Sequence, residues 1–315
     1  MNSALRPMST SELLDRTFHL YRTHFAVFAG IGALLPALYL MMELAFLRFG
    51  YVAGSANPMP TANDVAMTML YVSCAVLIFV FGYSLVSGAV FHAVSRLHLG
   101  QQVTIVESYK EVFTRFPTVL RLIITVFIRA IIGPLCVAFL TLVGVLMSLR
   151  AVIGSMSRTA AFAGVLVAVL GTFLLAGIWT LYICIKYSMS VTACLAEKLP
   201  ARDALKRSRF LTQQARLRIF LIFLLMGIIG LALNYALTAP SLVYAFMHDG
   251  KLTVPWAIWE YLGGFAASVL AGPISTIAIV LVYYDQRIRK EAFDLQFMME
   301  SLNHHPQEQT AMSAT

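Results

Sequence analysis

Three charged residues lie inside otherwise uncharged stretches and are the first candidates for chemistry. Arg129 stands within RLIITVFIRAIIGPL, and Glu43 and Glu260 stand near the ends of two other apolar stretches. Charges at such positions in a membrane protein mark ion or substrate paths, and two carboxylates with one arginine would suffice for proton coupling. The alternative is structural, because an arginine near a helix end extends its head group to the interface and a carboxylate there stays partly hydrated. The sequence favours the structural interpretation but leaves both open.

A second candidate is the basic segment DALKRSRFLTQQARLRIF, residues 203–220, which leads into an uncharged run. Its apolar residues recur at helical spacing on one face and its cations lie on the other, so it is predicted to be an amphipathic helix at a membrane surface. Cations there orient the next span and attract anionic head groups by roughly 1 kcal/mol each. The candidate lipid- or partner-binding residues are Arg202, Lys206, Arg207, Arg209, Arg216 and Arg218.

Motifs of catalytic and metal centres are missing from the sequence. It contains no GxSxG, SxxK, HExxH or GxxxxGKS motif, and its four cysteines form no CxxC pair. We therefore predict no catalytic residue, no metal and no cofactor. The net charge of +8 is explained by lysines and arginines that flank apolar segments and orient them in a membrane. Nucleic acid is therefore not a predicted partner.

The composition identifies a membrane protein. The chain of 315 residues is 59% hydrophobic and 12% charged, whereas a soluble domain carries about a quarter charged residues. Its apolar residues form six blocks that reach the roughly 20 residues needed to cross a bilayer. All six are predicted to be helices, because backbone polar groups in hydrocarbon must pair within the segment. The blocks cover roughly residues 25–47, 66–92, 119–149, 161–187, 217–246 and 255–284.

The distribution of lysine and arginine orients these spans. Eighteen of the 23 lie in the N-terminal segment, the second and fourth connections and the C-terminal segment, and four lie in the other three connections. Because cytoplasmic segments carry the excess of these residues, both termini are predicted to be cytoplasmic.

Three segments share a pattern that indicates an internal repeat. Each starts with a residue suited to begin a helix and has an acid three positions later, as in a capping box or a proline-led first turn. These pairs are Ser9 and Glu12, Thr104 and Glu107, and Pro200 and Asp203. The chain is therefore predicted to be one all-α domain over residues 1–299, with three repeats of an interfacial helix and a transmembrane hairpin. The repeats cover about 9–95, 96–195 and 196–285, followed by an amphipathic helix at 285–300 and a disordered tail at 301–315.

Three stretches together resemble a known family. They are ALRPMSTSELLDRTFHLYRTHF, ARDALKRSRFLTQQARLRIF and YYDQRIRKEAFDLQFMME, and they are similar to cytoplasmic segments of the bacterial membrane-domain family named after glycerophosphodiester phosphodiesterase. The resemblance runs from Leu5 to about Met299 and implies a multi-pass domain of the bacterial cytoplasmic (inner) membrane. The family-motif residues are Asp15, Arg16, Tyr284, Asp285, Arg287, Arg289, Lys290 and Glu291.

The resemblance does not imply an enzyme. Some relatives carry a fused phosphodiesterase barrel, which takes around 250 residues, and the six blocks leave no room for one. We therefore expect a non-catalytic membrane module that binds anionic or glycerol-based lipid, or scaffolds a membrane or cytoplasmic protein partner, through its basic helices. The alternative is a small transporter or lipid-translocating protein that uses proline-kinked spans and Arg129.

Overall fold

The structure is a computed structural model that describes residues 8–49, 61–98, 100–152, 158–248 and 252–312. Within these ranges the regular structure is helical throughout and includes no strand, as predicted. The helices are α1 (Thr10–Thr23), α2 (Phe25–Gly32), α3 (Leu34–Arg48), α4 (Ala62–His98), α5 (Ile105–Val152), α6 (Arg158–Tyr187), α7 (Ser190–Ala196), α8 (Ala201–Thr212), α9 (Arg216–Met247) and α10 (Val254–Met312).

Several of these helices are long and apolar enough to cross a membrane. In the described part of the chain five pass this test, namely α4, α5, α6, α9 and α10. Helices α2 and α3 make a sixth if the pair, bent by 41°, is counted as one span. The predicted all-helical class is confirmed, the long apolar helices are consistent with a multi-pass membrane protein, and the count of six depends on this bent pair.

The bend between α2 and α3 follows from a proline, and a glycine allows the bent pair to pack closely against α10. Pro36 lies in the first turn of α3 and has no N–H to donate to the carbonyl of Gly32, so the helical ladder is interrupted there. Gly32 lies against α10, because a Cβ at that position would be 2.4 Å from Pro273 Cγ. A side chain at position 32 would therefore separate the bent pair from α10.

Helix α10 lies at the centre of the bundle, and helix α6 lies at its periphery. In the most apolar window of α10, 44% of the residues are buried, against none in that of α6. The main buried cluster joins α10 to α1, α2, α4, α7 and α9, with Leu13, Phe28, Val90, Ile277 and Tyr283 among its members. A smaller cluster joins α4, α5, α7 and α8. Helix α6 packs mainly along α5.

The three predicted segments begin where expected but differ in how they continue. At α1, Ser9 forms both bonds of a capping box with Glu12, and α8 begins after Pro200. The second segment is not a separate helix, because α5 runs unbroken from Ile105 and includes Pro117.

The C-terminal segment also differs from its expected form. The predicted amphipathic helix at 285–300 continues the last span without a break. The helix extends to Met312, inside the segment 301–315 for which disorder is predicted.

Most charged side chains gather at one end of the bundle, which we call the charged end. Helices α1, α7 and α8 lie there, together with the start of α9 and residues 283–291 of α10. Contacts of Met8 and Arg218 with Asp285, and of Arg207 with Glu197, join these elements. The charged end is where the candidate lipid-binding residues meet the family-motif residues.

Candidate anion-binding site at the charged end

A cavity of about 500 Å³ opens between α5, α6 and α8 at the charged end, and we call it the basic cavity. Its size falls in the range of roughly 300–1,000 Å³ that holds small-molecule ligands in proteins. Thr125 and Tyr187 contribute hydroxyl groups to its wall, and no acidic residue lines it. Its cationic residues are Arg121, Arg129, Arg202, Lys206 and Arg209.

Helical spacing places these cations on facing surfaces. On α5, Arg121, Thr125 and Arg129 follow one another at intervals of four residues and therefore share a face. On α8, Arg202, Lys206 and Arg209 share a face in the same way. The two faces line the same cavity, so their positive charges reinforce one another.

The opposite face of α8 is buried and fixes the helix in place. Ala204 and Leu211 are buried there. The hydroxyl groups of Ser208 and Thr212 both donate to the carbonyl oxygen of Lys186, each at 3.2 Å. Lys186 lies in the last turn of α6, where carbonyl groups lack helical donors. Helix α8 thus closes the end of α6 and holds its cations over the cavity.

Arg129 is directed toward the end of α6. Its Nη1 donates to the hydroxyl oxygen of Tyr187 at 2.9 Å, and its guanidinium carbon lies 5.4 Å from the centre of that ring. This contact agrees with the structural interpretation, because the arginine head group reaches the charged end. It also leaves Arg129 in the wall of the basic cavity.

The arginines of the basic cavity lack acidic partners. Among the residues that the structure describes, no carboxylate lies within 4 Å of any of these four guanidinium groups. Lys206 pairs with Asp203 at 3.3 Å, but both side chains are more than half exposed, where such a pair contributes little. The cavity therefore keeps a positive potential that attracts anions.

Arg218, in contrast, belongs to a buried group that we call the Asp285 cluster. Asp285 is 0% exposed and accepts from Arg218 Nη1 at 2.5 Å and from Arg289 Nε at 2.9 Å. The backbone N–H of Met8 donates to its second oxygen at 2.7 Å. Both arginines also donate to the Met8 carbonyl, at 2.9 and 2.6 Å. The cluster thus ties the chain before α1 to α9 and α10.

Arg207 belongs to a second group, the Glu197 cluster. Its Nε donates to Glu197 at 2.8 Å, and its terminal nitrogen donates to Glu291. Tyr283 donates to Glu197 at 2.8 Å, and Arg287 Nε donates to Glu291 at 2.7 Å. Burial lowers the pKa of Arg207, but the hydrogen bonds to both glutamates outweigh it and the pKa is raised. The guanidinium charge is therefore neutralised within the protein.

The remaining candidates of the basic segment and the C-terminal motif contact rings and backbone. Arg216 lies 5.7 Å from the centre of the Tyr182 ring. Lys290 donates to the carbonyl of Phe210 and lies 4.4 Å from its ring centre. Neither cation lines the basic cavity.

The other family-motif residues lie on α1 and α10. Tyr284 shares a hydrogen bond of 3.0 Å with Ser95. On α1, Asp15 is exposed, and Arg16 contacts Met8 Sδ at 3.9 Å. These contacts join α10 to α4 and α1 to the chain before it.

Glu43 and Glu260 are brought together, but away from Arg129. Both line a cavity of about 560 Å³ between α3, α9 and α10, together with Tyr39 and Asn234. The three intramembrane charges therefore do not form a single site. Across the described ranges, no group of three His, Cys, Asp or Glu residues is arranged to hold a metal ion.

The sequence did not identify every residue of the basic cavity, the Asp285 cluster and the Glu197 cluster. The motifs did not single out Arg121 in the basic cavity, although its spacing of eight residues from Arg129 was a usable signal. They also missed Glu197, which accepts from Arg207 and from Tyr283, a residue distant in the chain. The contribution of Met8 comes from its backbone, which carries no sequence signal.

Comparison of the chain with protein-family models, with curated proteins and with solved structures gives no match. The resemblance to the membrane-domain family therefore stays a prediction based on its motifs. The geometry of the cavities and the charges around them are the observations that bear on function.

Proposed function

We propose that this protein is a non-catalytic membrane module that binds the phosphate-bearing head group of an anionic, glycerol-based phospholipid in the basic cavity. The observation that carries the proposal is the lining of that cavity, with five cations and no acid. Guanidinium groups bind phosphate through paired N–H···O bonds. Four arginines without carboxylate partners offer such donors.

The position of the cavity favours a lipid over a soluble anion. Its walls are residues 121–129 of the long apolar helix α5, the end of the apolar helix α6, and the polar helix α8. A head group at a bilayer surface would lie at this boundary between apolar and charged side chains. Each cation near an anionic surface contributes about 1 kcal/mol of attraction, so five neighbouring cations are sufficient for a marked preference.

We further infer the arrangement in the membrane. The chain has six spans in three repeats, with the charged end and both termini on the cytoplasmic side of a bacterial inner membrane. The bias of lysine and arginine supports this orientation. The helix starts after Ser9, Thr104 and Pro200 support the repeat.

The test removes two cavity charges at exposed positions. We expect Arg202→Gln/Arg209→Gln to lower the affinity for phosphatidylglycerol about 30-fold, because two contacts of about 1 kcal/mol each are lost. Affinity for the zwitterionic phosphatidylcholine should stay unchanged. The measurement is lipid titration of the detergent-solubilised protein followed by native mass spectrometry.

A matched control removes the same charge from elsewhere at the charged end. Arg22 and Lys110 are exposed and do not line the cavity. Arg22→Gln/Lys110→Gln should therefore keep the preference for phosphatidylglycerol. Equal losses of phosphatidylglycerol affinity in the two double variants would contradict the proposal, since binding would then reflect the total charge of the protein. A co-purifying polypeptide that the cavity variant loses would favour the scaffold function.

A transporter is the second candidate, and one observation favours it. Glu43 and Glu260 share a cavity beside the bent pair α2 and α3, and carboxylates inside a membrane mark cation or proton paths. Proton flux in proteoliposomes that is lost in Glu43→Gln/Glu260→Gln but kept in Arg129→Gln would support it. Arg129, which lies at the basic cavity, would have no part in that path.

A further inference from the structure

A second, apolar cavity adjoins the basic one. A groove of about 710 Å³ runs between α5 and α6 and is lined almost entirely by apolar side chains. Three threonines are among the exceptions, and their hydroxyl groups have partners within the protein. Thr172 donates to Thr141 at 2.6 Å, and Thr180 lies 3.5 Å from the carbonyl oxygen of Ala130. The groove therefore presents a hydrocarbon-like surface, which we call the α5–α6 groove.

Pro134 and Trp179 lie where α5 and α6 are joined beside the groove. Pro134 has no N–H for the carbonyl of Ala130, which is the group that Thr180 approaches. Trp179 Nε1 donates to the carbonyl of Arg129 at 3.1 Å. A Cβ at Gly133 would lie 2.3 Å from that indole nitrogen, so only glycine admits the ring against α5. These contacts fix the two helices just beyond the basic cavity.

The linings of the basic cavity and of the α5–α6 groove lie next to each other along both helices. On α5, Arg129 lines the cavity and the next residue, Ala130, lines the groove. On α6, Tyr187 lines the cavity, and Cys184, one helical turn earlier, lines the groove. The cationic site and the apolar groove thus have neighbouring lining residues on both helices, and together they are complementary to a molecule with an anionic end and a hydrocarbon chain.

We propose that one phospholipid occupies both sites, with its phosphate in the basic cavity and one acyl chain in the α5–α6 groove. This inference rests on the proposed function and specifies its ligand as a long-chain lipid. The groove follows residues 127–145 of α5, about 27 Å of helix at 1.5 Å per residue. The hydrocarbon of one leaflet is about 15 Å deep, so a full acyl chain fits.

The test compares two lipids that share a head group but differ in chain length. Dioleoyl and dihexanoyl phosphatidylglycerol are titrated against the solubilised full chain. Ala176 lines the groove, and Ala176→Trp fills it. We expect this variant to lower the affinity for the dioleoyl lipid about tenfold, the equivalent of about two buried methylene groups. Its affinity for the dihexanoyl lipid should stay within about twofold.

Two further variants guard against a folding defect. Ile178 is 64% exposed and lies outside the groove, so Ile178→Trp adds the same ring and should leave both affinities unchanged. Phe173 lines the groove but is 73% exposed. Phe173→Ala should therefore keep the fold and still weaken binding of the dioleoyl lipid alone.

The outcomes separate this inference from the function on which it rests. If Ala176→Trp and Phe173→Ala leave dioleoyl binding unchanged, or weaken both lipids equally, the groove does not hold the chain. Arg202→Gln/Arg209→Gln should weaken both lipids together. If that variant keeps binding of both, the head-group site itself is refuted, and the inference falls with it.

Discussion

Two groups of basic residues at the charged end differ in what neutralises them. In the Asp285 and Glu197 clusters, Arg218 and Arg207 donate to carboxylates of α10 or of Glu197, the residue after α7, and both are largely buried. In the basic cavity, Arg202 and Arg209 are exposed on the surface of α8. One group holds helices together, and the other is left with charge that an external anion can neutralise.

The difference shows that a basic segment need not act as one unit. Arg207 and Arg209 are two positions apart on α8, which is about 200° around a helix, so they face opposite directions. One direction leads to α10 and its carboxylates, and the other leads to α5 and its arginines. Substitutions at these positions should therefore have different consequences for stability and for binding.

Asp285→Asn should cause the largest loss of stability, because it removes the acid of the Asp285 cluster. The carboxylate is fully buried and neutralises Arg218, whose side chain is 15% exposed. Removing one partner of a buried ion pair lowers the free energy of unfolding by about 3–5 kcal/mol, because the other charge stays buried. We expect a loss of that size in denaturant titration of the protein in mixed micelles.

The matched control for this prediction is Asp203→Asn. Asp203 also pairs with a cation, but its side chain is 52% exposed. The free energy of unfolding should change by no more than about 0.5 kcal/mol. Similar losses at Asp203 and Asp285 would contradict the distinction between the two groups.

The second prediction compares two arginines of α8, Arg207 and Arg209, which should affect different properties of the protein. Arg207→Gln should lower the free energy of unfolding by about 1–2 kcal/mol, because Glu197 and Glu291 lose a charged donor. Arg209→Gln should leave stability within about 0.5 kcal/mol and weaken phosphatidylglycerol binding about fivefold. Unfolding and lipid titration are measured on both variants. If both variants lose only stability, or both lose only lipid affinity, the two arginines do not have the separate roles assigned to them.

Much of the fold could be predicted from the sequence. Long apolar blocks force helices in a bilayer, so the positions of α4, α5, α6, α9 and α10 follow from hydropathy alone. The capping box at Ser9 also gives the start of α1 correctly. Local signals of this kind need no knowledge of distant contacts.

The division of the arginines could not be predicted in the same way. Arg218 and Asp285 are 67 residues apart in the chain, and Arg207 and Glu291 are 84 apart. No local pattern shows that these side chains meet. The helical spacing on α8 does separate the face of Arg202 and Arg209 from that of Arg207, but it does not reveal which face meets carboxylates.

The smallest expected effect is that of ionic strength, which should weaken lipid binding in the basic cavity but not the ion pairs of the Asp285 cluster. The basic cavity opens at the charged end, where raising salt from 0.15 M to 1 M shortens the screening length from about 8 Å to about 3 Å. Affinity for phosphatidylglycerol should therefore fall several-fold in lipid titration at high salt. The Asp285 cluster is shielded from ions by burial, since Asp285 is 0% exposed.

The unfolding midpoint provides the contrast within the same samples. Because buried pairs are screened much less than exposed charges, the thermal midpoint should shift little while lipid affinity declines. A midpoint that falls in step with the affinity would mean that exposed charges hold the helices together. The paired and unpaired arginines would then form one electrostatic system, and the assignment of the basic cavity to ligand binding would lose its main support.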